Sequence, residues 1–358
     1  MQAKKSKNIS DMFQKCRIQL FFMLLFFTTL ADSQIPTGYY NNANGKASAE
    51  LKTALYHIIN PHTQLEYYSS STYFQQTDWY PNALDYPNGY FWDMYSTYQR
   101  SSWNGLNREH SLPKSWFGIT SATVNTSPMG TDLHNLYPSD YDANMAKSNF
   151  PLGEVTGTMA FNNFVKVGVS NTYSPTCSVF EPNDEYKGDF ARDYMYMVTC
   201  YENFSGWTSL GGIMIQGGTY PVFKDRAIAL LLKWHRQDPV SSKEINRNNA
   251  VYKLQGNRNP FVDYPEFAEY IWGKYVGKAW KTISFTTYPS PAHTFLKVMV
   301  KNPTTTTYNI YNLSGILVQN GKLSPDTTLS VDQLQNGLYV LTVYTESTRI
   351  TDKFVVRH

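Results

Sequence analysis

The sequence predicts a mixed α+β domain followed by a small all-β sandwich. Residues 34–282 are rich in Tyr, Trp and Phe and are broken by loops. Apolar residues recur there at helical spacing, most clearly at Ala227, Leu230, Leu231 and Trp234. After residue 291 the chain changes to short alternating segments separated by turn signals such as Asn336-Gly337, which are typical of β-hairpins.

The first 33 residues predict a secretory signal peptide. Basic residues up to Arg17 precede an uncharged apolar run, Ile18 to Leu30, and small residues lie before Gln34. This order is typical of an exported protein that is cut before Gln34. A membrane anchor is the alternative, but the run is near 13 residues and a spanning helix needs about 20.

Net charge excludes a general electrostatic affinity for nucleic acid. The whole chain holds 31 Lys and Arg and 28 Asp and Glu, of which residues 1–33 carry five and two. The mature chain therefore has 26 basic and 26 acidic residues. Any affinity for phosphate has to come from a local cluster of charge or from a bound cation.

Two cysteines remain once Cys16 leaves with the signal peptide. An even count in an oxidising compartment predicts a disulfide between Cys177 and Cys200. Such a bridge would stabilise the fold by about 3 kcal/mol in the chain-entropy model. Two unpaired buried thiols are the alternative.

The elements of the first domain are predicted in chain order from composition and spacing. Strands are predicted at Tyr90–Tyr95 and Tyr194–Thr199, and helices at Ala143–Asn149, Phe223–His235 and, more weakly, Pro265–Tyr275. We place the domain boundary near residue 283. The predicted domains are therefore residues 34–283 and 284–358, after the signal peptide at 1–33.

Two polar segments carry the residue types that phosphodiester cleavage needs. A cation, a carboxylate and an imidazole are adjacent at Arg108, Glu109 and His110. Hydrolysis needs a base for water, a hard ligand for a cation and positive charge near the phosphate. The second segment, residues 131–150, is dense in oxygen and nitrogen donors, although composition alone is equally typical of a polar, well-capped loop.

Taken in order, the two segments resemble the endonuclease I family of secreted, sequence-nonspecific nucleases. The matching blocks are REHSLPKSWFG, from Arg108, and DLHNLYPSDYDANMAKSNF, from Asp132. Phe180–Met197 and Leu230–Glu266 also look like that family, so the resemblance spans about Tyr90 to Trp272. It implies a ββα-metal active site and hydrolysis of DNA, with RNA as a second substrate class that stays open.

The resemblance implies a role for each residue of the site. His110 would be the general base, Glu109 a metal ligand and Asn144 the second ligand, on a short helix. Carboxylate and amide oxygens suit Mg²⁺, with Mn²⁺ or Ca²⁺ as alternatives. Neighbouring strand residues face opposite ways, so Glu109 and His110 share one site only if the chain bends there.

The sequence does not decide which residue faces the charge of the phosphate. Some family members place an arginine between the two blocks, whereas residues 119–131 here contain no basic residue. Arg108 ranks first as a substitute, before Lys114 and Lys147. Further candidate substrate contacts are Lys147, His134, Asn135 and Arg258, for which a structural role is the alternative, while His235 is predicted to be structural.

The last 75 or so residues resemble the C-terminal sorting domain of the type IX secretion system. The resemblance rests on YPSPAHTFLKV from Tyr288, NLSGILV, NGLYVLTV from Asn336 and the terminal KFVVRH. It implies contact with the secretion machinery and release or attachment at the cell surface, and implies no other stable protein partner. A binding module of the same shape is the alternative.

A second function class remains open at this stage: an exported protein with an inactive nuclease-like domain that only binds nucleic acid or glycan. Retention of Glu109, His110 and Asn144 together argues against it. Covalent serine or cysteine catalysis lacks its local signals, because no GxSxG motif is present and neither remaining cysteine adjoins a histidine.

Overall fold

The computed structural model describes residues 35–80, 89–157, 162–207, 211–281, 284–301, 306–344 and 349–358. Residues Gly38–His358 form one compact unit, and every element below belongs to it. The predicted signal peptide, residues 1–33, lies outside the described residues. In the part of the chain that is described, no helix is both long and apolar enough to cross a bilayer.

Helices and short hairpins alternate through residue 281. The α-helices are α1 Ser48–Ile59, α2 Ser70–Thr77, α3 Pro128–Thr131, α4 Tyr141–Lys147, α5 Lys187–Cys200, α6 Asp225–Gln237, α7 Ser242–Gln255, α8 Pro260–Asp263 and α9 Phe267–Ile271. The strands pair as antiparallel hairpins: β1 Trp79–Tyr80 with β2 Tyr90–Phe91, β3 Leu106–His110 with β4 Leu136–Asp140, β5 Lys166–Ser170 with β6 Ser174–Glu181, and β7 Ile215–Gly217 with β8 Val222–Phe223.

A ββα unit stands at the centre of the predicted site region. Strand β3 pairs with β4 in regular register from Leu106↔Asp140 to His110↔Leu136. Helix α4 follows β4 directly, because Asp140 ends the strand and caps the helix by accepting a hydrogen bond from the Ala143 amide at 2.9 Å. A cap of this kind contributes about 1 kcal/mol. The α+β class with a ββα unit is therefore confirmed.

The β3–β4 hairpin rests on a hydrophobic cluster that ties it to neighbouring helices. The cluster comprises Phe74, Phe91, Leu106, Leu133, Leu136 and Val251, from α2, β2, β3, β4, α7 and the segment before β4. Burying each large apolar side chain contributes about 1.5–3 kcal/mol. The packing of this cluster therefore fixes the position of the hairpin and of the residues at its end.

The strand predicted at Tyr194–Thr199 is wrong. Residues 194–199 belong to helix α5, not to a strand, and every residue of that helix is buried. A helix that is buried on all sides has no polar face, so its sequence lacks amphipathic spacing. Its run of aromatic and apolar residues is then also typical of a buried strand. Helix α5 packs against α1 and α6 and forms the central helix of this part of the fold.

The other predicted elements lie near their expected positions. The helix predicted at Phe223–His235 is α6, and the one predicted at Ala143–Asn149 is α4, which begins two residues earlier. The weaker helical prediction at Pro265–Tyr275 contains the five-residue helix α9. Of the strand predicted at Tyr90–Tyr95, only the two residues of β2 pair.

From residue 284 the described chain forms strands only. They are β9 Ser284–Tyr288, β10 Phe295–Lys301, β11 Thr306–Asn312, β12 Leu317–Leu323, β13 Asp326–Ser330, β14 Gly337–Tyr344 and β15 Arg349–Val356. Two antiparallel sheets result, with orders β13-β10-β9 and β12-β11-β14-β15. Leu296, Val298, Ile310, Leu341 and Phe354 from both sheets share one core. The predicted β-sandwich is confirmed.

The predicted disulfide is corrected, since Cys177 and Cys200 are both free. Cys177 lies half-buried in β6, beside an open pocket that Lys224 and Arg226 also line. Cys200 ends α5 in full burial, with its Sγ 3.8 Å from the Ile59 carbonyl. Each thiol therefore packs in its own environment, and burial raises the pKa of both.

Candidate active site

An open cleft of about 300 Å³ lies where β3, the 3₁₀ helix Lys114–Phe117 and α4 meet. Its lining includes Tyr67, Arg108, Glu109, His110, Lys114 and Asn144. The predicted base and both predicted metal ligands therefore border one cavity. No bulge interrupts the β3–β4 register. Glu109 and His110 are the last two residues of β3, and both border the cleft.

The surroundings of His110 fix which ring nitrogen carries the proton. Its Nε2 lies 2.9 Å from the carbonyl oxygen of Gly130. A carbonyl can only accept, so Nε2 holds the hydrogen and Nδ1 of the neutral ring carries the lone pair. Burial, together with the positive charges of Lys114 and Lys147, lowers the pKa of His110 to about 3. The imidazole is therefore an unprotonated base at neutral pH.

An aromatic ring and a guanidinium hold the His110 imidazole in place. The ring of Tyr67 stacks on the imidazole at 5.9 Å between centroids and 11° between planes. Arg108 lies over the Tyr67 ring at 5.5 Å and over the Trp103 ring at 5.3 Å. Tyr67 comes from a 3₁₀ helix about 40 residues upstream, and no motif in the sequence pointed to it.

Arg108 directs its hydrogen bonds toward the chain that carries Tyr67. Its Nε donates to Ser70 Oγ at 2.6 Å and to the Tyr67 carbonyl at 3.2 Å, and its Nη2 donates to the Tyr68 carbonyl at 2.7 Å. Arg108 lines the cleft, but three of its contacts anchor the 67–70 segment. Its geometry is that of a residue that positions Tyr67 and, through it, His110.

Glu109 forms a buried ion pair with Lys147 of α4. The Lys147 ammonium donates to Glu109 Oε1 at 2.5 Å and to the His110 carbonyl at 3.3 Å. Burial raises the pKa of the Glu109 carboxyl, while Lys147 acts in the opposite direction. Because an uncompensated buried carboxylate is strongly unfavourable, the ion pair with Lys147 favours the ionised form of Glu109 against the effect of burial and orients the carboxylate.

Asn144 presents an uncommitted amide to the same cleft. Its backbone carbonyl accepts the helix-ending hydrogen bond from the Ser148 amide. Its half-buried side chain has no hydrogen-bond partner among the described residues. A polar group in that state is available to a ligand.

Four side chains predicted to contact substrate are buried, and their role is corrected. They are Lys147, His134, Asn135 and Arg258, each at most 2% exposed. Lys147 pairs with Glu109, and Arg258 forms hydrogen bonds with Asp263 and Asn249. Their side chains are engaged inside the protein, and none of the four borders the cavity.

Asn135 and His134 illustrate the same correction at the start of β4. The Asn135 side chain accepts from the Leu112 amide at 2.7 Å and donates to the Leu112 carbonyl at 3.1 Å. Burial lowers the pKa of His134 to about 3, and its Nε2 lies 3.3 Å from the Asn257 carbonyl. His235 is also buried, with Nε2 2.9 Å from the Pro265 carbonyl.

A second group of ligand types occurs around the buried Asp132. Ligand atoms of His62, Asp132 and Cys200 lie within 4.8 Å of one another. The Asp132 carboxylate already accepts four hydrogen bonds, from His134 N, Gln255 Nε2, Tyr196 Oη and Tyr201 Oη. Since a carboxylate offers about four lone-pair positions, protein donors satisfy it, and we interpret Asp132 as a structural centre.

The cleft, in contrast, fits a divalent cation. Glu109 contributes a carboxylate and Asn144 an amide with no partner among the described residues, and both border the same open cavity. Oxygen ligands of this kind, with room for retained waters, are what Mg²⁺ requires. The residues that could hold the ion are therefore Glu109 and Asn144.

Comparisons with known proteins match two parts of the chain. The model of the Endonuclease I family matches residues 47–266, and that of the secretion system C-terminal sorting domain matches residues 286–357. The first range contains every cleft residue named above.

Three curated proteins illustrate the similarity. The extracellular ribonuclease of Bacillus amyloliquefaciens is 36% identical over 244 residues, which cover 65% of this chain and 78% of that protein. The extracellular ribonuclease of Bacillus subtilis (strain 168) is 36% identical over 246 residues, with the same two shares. An extracellular deoxyribonuclease of Aeromonas hydrophila is 27% identical over 135 residues, 38% of this chain and 50% of that protein.

Proposed function

Since the chain belongs to the endonuclease I family and is a nuclease, we propose that the cleft at His110 hydrolyses phosphodiester bonds with the help of one divalent cation. The observation that carries the proposal is the neutral imidazole of His110, with its lone pair on Nδ1, in the cavity that Glu109 and Asn144 also line. A base and two oxygen ligands at one cavity meet the chemical requirements of the reaction.

His110 is the general base in this proposal. Water gives a proton to Nδ1 as its oxygen forms a bond to phosphorus, and the bond from phosphorus to the 3′-oxygen breaks. The 3′-oxygen leaves with the bonding electron pair and takes a proton from solvent, so the products are a 5′-phosphate and a 3′-hydroxyl. Because Nε2 stays bound to the Gly130 carbonyl, the imidazole keeps its orientation while Nδ1 gains the proton.

Glu109 and Asn144 would hold the cation. When bound, the ion neutralises phosphate charge and stabilises the departing oxygen. Mg²⁺ is the first candidate, with Mn²⁺ and Ca²⁺ as alternatives, because both ligands offer hard oxygen atoms. The ion pair with Lys147 holds the Glu109 carboxylate in place.

DNA and RNA are both proposed as substrates, bound through backbone phosphates without readout of base sequence. The names of the relatives support both substrate classes: two are named extracellular ribonuclease and one is named extracellular deoxyribonuclease. No basic surface is needed for the reaction if charge is concentrated at the cleft.

The nuclease is exported, because its C-terminal region is a secretion sorting domain. It is secreted or held at the cell surface. Contact with the type IX secretion machinery, through the β-sandwich, is part of the proposal. We propose residues 34–283 and 284–358 as the limits of the two mature domains.

Cleavage of supercoiled plasmid and of single-stranded RNA by the mature chain tests this function. We expect cleavage with Mg²⁺, none with EDTA, and loss by orders of magnitude in Glu109→Gln and Asn144→Ala. Glu50→Gln is the matched control, because Glu50 is exposed and borders a different cavity. Undiminished cleavage in EDTA would refute the metal mechanism, and a folded but inert chain would favour a nucleic-acid-binding or glycan-binding protein.

A further inference from the structure

Three cationic side chains come from the elements around the cleft, and two of them are already engaged. Lys147 is fully buried and forms an ion pair with Glu109. Arg108 donates hydrogen bonds to the 67–70 segment. The third, Lys114, lines the cavity and is half-buried. Among the described residues its ammonium has no hydrogen-bond or ion-pair partner, which leaves a localised positive charge without an acceptor.

The backbone beneath Lys114 is held at several points. Asn135 bonds both polar groups of the Leu112 backbone, two residues before Lys114. Trp116, two residues after it, is fully buried and donates from Nε1 to the Asn149 carbonyl at 3.0 Å. The Lys114 carbonyl itself accepts from the Ile119 amide at 3.1 Å. The position from which the Lys114 side chain starts is therefore fixed.

Lys114 borders the same cavity as the groups that carry the reaction. His110, Glu109 and Asn144 line that cavity together with Lys114. An unpaired cation beside an unprotonated base and two oxygen ligands is suited to receive an anion. The anion that enters this cleft in the reaction is a phosphodiester.

We propose that Lys114 is a catalytic residue whose ammonium contacts the scissile phosphate and stabilises the charge that builds on its oxygens in the transition state. The inference rests on the proposed nuclease function. Lys114 transfers no proton and forms no covalent bond; it supplies fixed positive charge next to the reacting phosphorus. Removal of one such donor lowers kcat by about 10²–10³ in other enzymes.

Lys114→Gln, Lys114→Arg and Lys253→Gln separate this role from bulk charge. Lys253 is an exposed lysine of α7 outside the cleft. We expect kcat/KM for plasmid cleavage in Mg²⁺ to fall about 10²-fold in Lys114→Gln. Lys114→Arg should regain at least about tenfold, because it restores a charged donor. Lys253→Gln should match the wild type, and all three should unfold at the wild-type temperature.

A second readout needs no cleavage. The affinity of a fluorescein-labelled duplex oligonucleotide is measured in EDTA over a range of salt concentrations. Loss of one phosphate contact should reduce the slope of log K against log salt by about 0.9 in Lys114→Gln, and Lys253→Gln should retain the slope.

The outcomes distinguish this inference from the proposed function. If the wild type cleaves plasmid and kcat/KM of Lys114→Gln lies within threefold of the wild-type value, the inference is overturned and the proposed function stands. Reduced cleavage with an unchanged salt slope overturns the direct contact and assigns Lys114 to holding its loop. If the wild type cleaves nothing, the proposed function fails, and the slope in EDTA still decides whether Lys114 meets phosphate.

Discussion

Burial decides the protonation state of His110. The ring loses the solvation that its charged form needs, and the charges of Lys114 and Lys147 add to the effect, so its pKa falls to about 3. A histidine in water, with a pKa near 6.5, is partly protonated at physiological pH. In this cleft the base is available without first losing a proton.

The His110 imidazole is expected to show no titration between pH 5 and pH 8 in NMR spectra of the native protein. Its resonance is identified by its absence in His110→Gln, and the protein unfolded in urea gives the reference titration near 6.5. The unfolded chain takes up this proton below about pH 6.5 and the native chain only near pH 3. His110 therefore lowers the free energy of unfolding as pH falls through that window. A native midpoint near 6.5 would contradict the buried neutral ring.

Cys177 and Cys200 are expected to react as two free thiols once the mature protein is unfolded without reductant. In the native protein Cys200 should be inert, because it is fully buried and its pKa is raised. Cys177→Ser is the control and should lower the count in the unfolded protein by one. A thiol count of zero before reduction would restore the disulfide.

At the scale of elements, the site depends on how β3, β4 and the segment 111–117 are joined. Asn135, the residue before β4, forms hydrogen bonds with the Leu112 backbone beyond the end of β3. Asp140, at the end of β4, caps α4, which carries Asn144. One hairpin therefore sets the positions of the base, the ligands and Lys114.

Asn135→Ala is expected to lower the free energy of unfolding by about 2–3 kcal/mol, since it leaves a buried amide and a buried carbonyl of Leu112 without partners. Urea denaturation measures the effect. Asn42→Ala, at an exposed position, should stay within about 0.5 kcal/mol of the wild type. Equal stability of Asn135→Ala and wild type would show that Asn135 does not clamp the loop.

The ββα unit is predicted through the resemblance of two compact segments, 108–118 and 131–150, to a known family. The sequence does not predict Tyr67 or the Gly130 carbonyl, because contacts between distant segments leave no local spacing. Helix α5 is misread for a related reason: burial on every side removes the polar face that marks a helix. The substrate roles given to Arg258 and Lys147 fail because sequence does not reveal which charges are paired internally.

For the whole molecule, the described sheets of the nuclease region and of the β-sandwich are separate. No sheet in the described residues joins strands from both sides of residue 283. The sandwich core is made only of residues from Phe285 onward. The cleft, in turn, is built only from residues before 150.

Removal of residues 284–358 is therefore expected to leave kcat/KM for plasmid cleavage within about threefold of the full mature chain. Far-UV circular dichroism and thermal unfolding check that residues 34–283 fold. A tenfold or greater loss of cleavage in the folded fragment would show that the sandwich contributes to the site.

The central claim, that His110 is the base of a metal-dependent nuclease, is tested most directly by plasmid cleavage with His110→Ala in Mg²⁺, with Mg²⁺ binding measured by calorimetry. We expect cleavage to fall by about 10²–10⁴-fold while Mg²⁺ affinity stays near the wild-type value, because Glu109 and Asn144 remain. Added imidazole should restore part of the activity through the vacated space. Cleavage by His110→Ala within tenfold of the wild type would contradict the account.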